Sequence, residues 1–248
     1  MQYLMSNQQQ LITLNIDTWK ANSAGLSNYQ DWQEWASTQI WPEDATLNVA
    51  NIPAMMRRRM STLSKIAVQT ALEIIQDQKI DYMVFSCRHG ELHRSVDIVK
   101  AILQGEEASP MAFSQSVHNT SAGLATIATK QPIPLTSIAA SQNTFQSALL
   151  EAWLYLAEHP NNKVLLVDFD EPLTDEYQQF ETHHYQSYAL GLVISQGSNL
   201  TISSCPSTNE KLTMPQALTF LKHYLSNQSS WIIEGSTHAW QWQWQRTC

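Results

Sequence analysis

A cysteine and two histidines fall close together in Cys87–Arg88–His89–Gly90–Glu91–Leu92–His93. Such a set suits two chemistries. Cys87 could act as a nucleophile with His89 or His93 as its base, which would make a cysteine hydrolase; or Cys87, His89 and His93 could hold a metal. The same stretch also reads as an ordinary strand-to-helix loop. With no fourth ligand and no orienting carboxylate at a diagnostic spacing, the loop reading is favoured. Ser141 stands just ahead of an amphipathic stretch and invites a serine-nucleophile reading, but no G-x-S-x-G surrounds it. A serine there is also a preferred helix N-cap, contributing about 1 kcal/mol, and that is the expected role. Asp168, Asp170, Glu171, Asp175 and Glu176, with His183 and His184 beyond, could be drawn as a metal site. They lack a ligand spacing such as H-E-x-x-H, so a solvated loop after a strand is expected. Neither a metal nor a cofactor is expected.

The elements that would position these residues alternate in type. Apolar residues at Leu63, Ala67, Ala71 and Ile74 keep helical spacing. Tyr82–Met83–Val84–Phe85 is a short unbroken apolar run, the mark of a buried strand. Helical spacing returns at Val96, Val99 and Leu103, ending at Gly105, and again around Ala122 to Thr129. Leu135 to Ala139 reads as a strand, Phe145, Leu149, Ala152 and Leu156 as a helix that stops before Pro160, and Lys163 to Phe169 as a strand. Leu190 to Ser195 and Leu200 to Ser204 read as a strand pair joined through Gly197–Ser198–Asn199, and Ala217 to Leu225 as a last helix. Trp19 to Trp41 reads as loop with at most one short helix. In the tail, Trp240–Gln241–Trp242–Gln243–Trp244 alternates strictly and puts three indoles on one face of a strand. Strands alternating with helices define an α/β layered sheet.

The chain has 248 residues, 43% of them hydrophobic and 15% charged, with a formal net charge of −8. That composition supports a large core within one domain, 1–248, and excludes a disordered chain. The acidic balance argues against nucleic acid, whose phosphates require a basic face. The first ten residues lack the basic flank and apolar run of a signal peptide, and no stretch reaches the ~20 apolar residues of a membrane helix. Three widely spaced cysteines do not form a disulfide framework, so a cytoplasmic location is expected.

The segment Ser109–Pro110–Met111–Ala112–Phe113–Ser114–Gln115–Ser116–Val117–His118–Asn119–Thr120–Ser121–Ala122–Gly123 resembles the β-ketoacyl synthases: a Pro-containing loop, an S-V-x-N turn and an A-G helix start. Met56–Arg57–Arg58–Arg59–Met60 before an Ala-rich helix is similar to the helix preceding that family's first core strands. Gln131–Pro132 leading into Leu135–Ala139 is similar to the strand that delivers the nucleophile. The likeness runs from about Pro53 to about Ser195. It implies a thiolase-like fold, and the length implies its N-terminal half only. It also implies that the nucleophilic cysteine is missing: counting forward from Pro132 without gaps puts Ala140 in its place, and the family's two histidines belong to an absent second half.

The resemblance is to the small, chain-length-factor-like proteins of bacterial aryl polyene pathways, and it implies a non-catalytic subunit paired with a full-length β-ketoacyl synthase. Acyl carrier protein would be met through that partner, because this acidic chain repels an acidic carrier at long range; Arg57–Arg58–Arg59 reads as a packing or solvated face. By the same resemblance, Phe113, Ser116, Val117, Asn119 and Thr120 line the far end of the partner's acyl pocket. The strand Leu135, Thr136, Ser137, Ile138 and Ala139 lies at the dimer interface. Gln142 stands two residues beyond Ala140, whereas full-length chain-length factors often carry glutamine in place of the cysteine. A half-fold leaves one face of its central helix bare, and the Trp-rich tail, 231–248, is expected to close it, within the chain or against the partner.

Overall fold

In the computed structural model, residues 11–245 are described; 1–10, where a leader was sought, and 246–248, which include Cys248, lie outside the described residues. Seven strands form one mixed sheet: β1 (Leu11–Ser23), β2 (Tyr82–Ser86), β3 (Leu135–Ile138), β4 (Val164–Asp170), β5 (Tyr188–Cys205), β6 (Ser230–Ile233) and β7 (Ala239–Trp244). The main order is β3-β2-β4-β5-β1. β2 runs parallel to β3 and β4, and β5 runs antiparallel to β4 and β1. Eight α-helices are present among the described residues: α1 (Tyr29–Thr38), α2 (Ala54–Arg57), α3 (Thr62–Ile75), α4 (Leu92–Leu103), α5 (Pro110–Ser114), α6 (Thr120–Thr129), α7 (Thr144–Glu158) and α8 (Gln216–Leu225).

The unbroken apolar strands arise because both sheet faces are covered. Along β4, Val164 and Leu166 enter one core with α1, α7 and α8, while Leu165, Val167 and Phe169 enter a second core under α3 and α6. Each such side chain, fully buried, contributes about 1.5–3 kcal/mol. α3 starts where the Ser61 side chain accepts from the Ser64 N–H, satisfying one of the orphan donors of its first turn. α7 ends at His159, ahead of Pro160, which cannot continue a helix.

Two sequence expectations are corrected. Leu190 to Ser195 and Leu200 to Ser204 are not a hairpin but parts of the single strand β5, both paired to β1. Between Leu14↔Leu200 and Asn15↔Ser195 the register jumps, and the Asn15 side chain fills the bulge, its Oδ1 accepting from the Ser198 and Asn199 N–H groups. A Cβ on Gly197 would stand 2.1 Å from Asn15 Cγ, so glycine is required by close approach rather than by a turn. In the stretch from Trp19 to Trp41 the short helix is present as α1, started by a reciprocal capping box of Asn28 and Asp31 with Trp32 and Trp35 buried on it, but Trp19 to Ser23 is not loop and belongs to β1.

The tail folds back on its own chain. β7 pairs with residues 200–205 of β5, beyond the reach of β4, and carries β6 on its other side. Trp242, fully buried, stacks on Phe145 of α7 and Trp231 of β6 and contacts Phe220 of α8. The tail is therefore packed within the chain, against α7 and α8.

Candidate functional site

Asp168 and Asp170 alternate with Phe169 at the end of β4, so period-2 geometry turns both carboxylates to the α7 side. Both are buried rather than solvated, which corrects the sequence expectation for these two and for Glu171; Asp175 and Glu176 are exposed. Burial is tolerated because every charge has partners. Asp168 accepts from Ser86 Oγ and from the Tyr188 hydroxyl, each at 2.7 Å. Asp170 accepts from Arg88 Nε, whose guanidinium also donates to the Tyr185 hydroxyl and, at 2.8 Å, to His183 Nδ1. A guanidinium only donates, so His183 is neutral with its proton on Nε2. Burial, then the adjacent Arg88, hold its pKa down at about 4. Burial pushes Asp168 up to about 7 against the pull of its two hydroxyl donors.

Cys87 lies inside this network. Burial, and then the Asp170 carboxylate, push its thiol well above the ordinary range. Its Sγ lies 3.7 Å from Asp170 Oδ1 and accepts from the Gly90 N–H. A nucleophilic cysteine needs the thiolate, so the environment opposes the hydrolase reading of Cys87 and His89. His93 Nε2 bonds the Pro172 carbonyl. Among the described residues, no three His, Cys, Asp or Glu side chains are placed to hold a metal.

The corner between β3 and α7 turns at Ser141, which has φ +52°; Ala140, the residue before it, has φ −143°. Ser141 does not cap α7 with its side chain, contrary to expectation. Asn143 takes the N-cap position, but its side chain bonds Ser236 rather than the helix, and Thr144 Oγ1 accepts from the Ala140 N–H and donates to the Ser141 carbonyl. Ser141 and Gln142 open onto a cleft of about 900 Å³, along with Arg88, His89, His183 and His184. Among the described residues no histidine nitrogen bonds the Ser141 hydroxyl.

The remaining sequence-predicted residues lie on another surface. Phe113 ends in α5 at 67% exposure and Val117 stands at 49%; Asn119 is exposed, Ser116 half-buried and Thr120 buried. Among the described residues, β3 is an edge strand that pairs only with β2. Leu135, Thr136, Ser137 and Ile138 are half-buried and Ala139 is exposed. The Pro134 and Ile138 carbonyls accept from β2 and the residue after it, so by strand alternation the peptide groups of Leu135 and Ser137 face outward. Sequence reasoning missed the Arg88–Asp170–Asp168 cluster. The available signal was two aspartates, two residues apart, closing an otherwise apolar strand.

Strand order, the β3-to-α7 corner and the edge strand together define one half of a thiolase-like fold. The chain belongs to the β-ketoacyl synthase N-terminal domain family, whose model matches residues 32–243. Among solved structures it is similar to a chain of the ketosynthase ApeO in complex with its chain length factor ApeC from Xenorhabdus doucetiae. That match has 32% identity and a TM-score of 0.86, and covers 94% of this chain and 99% of that one, so the two are nearly equal in length. The ishigamide ketosynthase/chain length factor (12% identity, TM-score 0.61, 80% and 68% covered) shares the fold. So does a β-ketoacyl synthase from Burkholderia phymatum (12%, 0.57, 88% and 71%). No curated protein sequence matches. Among the described residues, no helix is long and apolar enough to cross a membrane.

Proposed function

We propose that this chain is a non-catalytic, chain-length-factor-like subunit that pairs with a full-length β-ketoacyl synthase and shapes its acyl pocket. The observation that carries the reading is the match, at 32% identity over 94% of this chain, to a chain of nearly equal length from a ketosynthase–chain-length-factor complex. The resemblance of this short, chain-length-factor-like sequence to the aryl polyene proteins extends it to carrier-bound polyene elongation, with acyl carrier protein docking through the partner.

Several features support the division of labour. The cysteine of the candidate site is withheld, since Cys87 is buried with a raised pKa, and alanine stands at Ala140. Surfaces open to a partner carry exposed apolar side chains, Val99 and Ile102 on α4 and Met111, Phe113 and Val117 on α5 and the loop after it, and the outer edge of β3 offers peptide groups for strand pairing. Residues 11–245 then act as one ketosynthase-like unit, closed by their own tail.

A pocket floor discriminates by volume, at about 1–3 kcal/mol per methylene. Val117→Trp should shorten the partner's product, and Phe113→Ala should lengthen it or broaden its distribution. Product length is read by mass spectrometry on purified heterodimer, normalised to intact complex. Variants that lower yield but leave length unchanged would assign both residues to the interface core and overturn the pocket-shaping role.

A further inference from the structure

The loop that carries Phe113 and Val117 has little packing of its own, so something else must fix its height. Val117 and Asn119 are exposed, and half-buried His118 turns inward between them. His118 Nε2 lies 2.8 Å from the Cys87 carbonyl; a carbonyl only accepts, so the imidazole donates. The ring packs on Gly90, where φ is +56° and an added Cβ would stand 3.1 Å from both Cα and Cδ2 of His118. Glycine there serves both the backbone and the histidine.

The anchor is rigid. Cys87 is 1% exposed, its N–H donates to the Ile138 carbonyl of β3, and its Sγ is held by Asp170 and Gly90. The next residue, Arg88, is fixed by Asp170, Tyr185 and His183. The other tethers of the loop are different in kind. Thr120 Oγ1 bonds the Gln115 carbonyl within the loop itself, Ser95 Oγ reaches the Ser116 carbonyl only at 3.5 Å, and Ser121 bonds Ser64 from the first turn of α6. His118 is thus the side chain that ties the exposed part of the loop to the sheet.

We infer that His118 is a positioning residue, setting the height of Val117 over the partner's pocket and so the length at which elongation stops. This rests on the pocket-shaping role proposed above. Specificity in such a floor depends on the supporting contacts as much as on the lining side chain, and the β2–α4 corner is the reference surface from which the loop is held.

The test uses His118→Ala and His118→Gln, whose amide nitrogen stands as many bonds from the backbone as Nε2. In the full-length chain, His118→Ala should speed hydrogen exchange across residues 113–121 by about two- to tenfold, the effect of one neutral hydrogen bond. In the heterodimer it should broaden product length per intact complex, and His118→Gln should restore both. If His118→Ala fails to fold, His118→Leu, similar in volume and without a donor, is read in its place. If Val117→Trp shortens the product but loss of the imidazole donor leaves length unchanged, the positioning role is overturned and the pocket-shaping role stands. If His118→Ala broadens length and His118→Gln does not restore it, the hydrogen bond is not the agent and the inference falls. If neither Val117→Trp nor His118→Ala alters length, the pocket-shaping role fails and takes this inference with it.

Discussion

Trp242 offers a direct test of whether the tail is a structural cover for α7 and α8. It is fully buried, stacked at 6.1 Å on Phe145 and again at 6.1 Å on Trp231, and 5.1 Å from Phe220. A buried indole removes about 150–250 Å² from water, which at about 25 cal/mol/Å² is on the order of 4–6 kcal/mol. Against that, the Trp242 Nε1–H has no hydrogen-bond partner, a desolvation cost of about 1–3 kcal/mol. The net is about 1–5 kcal/mol, and the cavity left behind brings the cost of Trp242→Ala to about 3–5 kcal/mol, in line with other large-to-small aromatic truncations. That is a large part of the about 5–15 kcal/mol that holds a domain together. Trp242→Phe keeps a stacked ring and discards the unpaired donor, so it should cost about 1 kcal/mol or less. Ile232→Ala lies on the same hairpin at 45% exposure and should change stability by less than about 1 kcal/mol. Urea unfolding followed by circular dichroism measures all three. The reasoning is refuted if Trp242→Ala unfolds within about 1 kcal/mol of the parent chain, because the tail would then be decoration on α7 rather than its cover.

Two further outcomes follow from the buried network. Iodoacetamide should label half-buried Cys205 in the native chain and reach Cys87 only after denaturation; rapid native labelling of Cys87 would restore a nucleophile reading. Asp168, whose pKa rises from 3.8 to about 7 on folding, stabilises the folded state most below about pH 4 and loses that contribution as pH rises through about 7. Asp168→Asn cannot titrate, so it should gain on the parent chain by up to about 1.4 kcal/mol per pH unit across that window. Glu171, raised in the same direction, and His183, lowered, are present in both proteins and cancel in the difference. A difference in urea midpoint that stays constant from pH 4 to 8 would sink this assignment.

The sequence by itself determined the parts whose signals are local. Unbroken apolar runs at Tyr82–Phe85 and Val164–Val167 marked strands buried on both faces, because only a two-sided core removes the need for alternation. Helical spacing located α3, α4, α7 and α8, and the Trp240–Trp242–Trp244 alternation set the face of β7 before any partner was known. The 109–123 motif was enough to place the chain among β-ketoacyl synthases. What only the tertiary structure decided depends on residues far apart in the chain. The bulge that merges two short runs into β5 exists because Asn15 fills it from β1, and no property of 197–199 distinguishes that from a turn. Asp168 and Asp170 looked like solvated charges until Ser86 of β2, Arg88 of the loop after it and Tyr188 of β5 were brought to them, making their burial affordable. Likewise the tail could have closed this chain or a partner's. The length of β5 decided it, because β5 extends past the end of β4 and leaves an edge on which β7 pairs and the indoles fall onto α7 and α8.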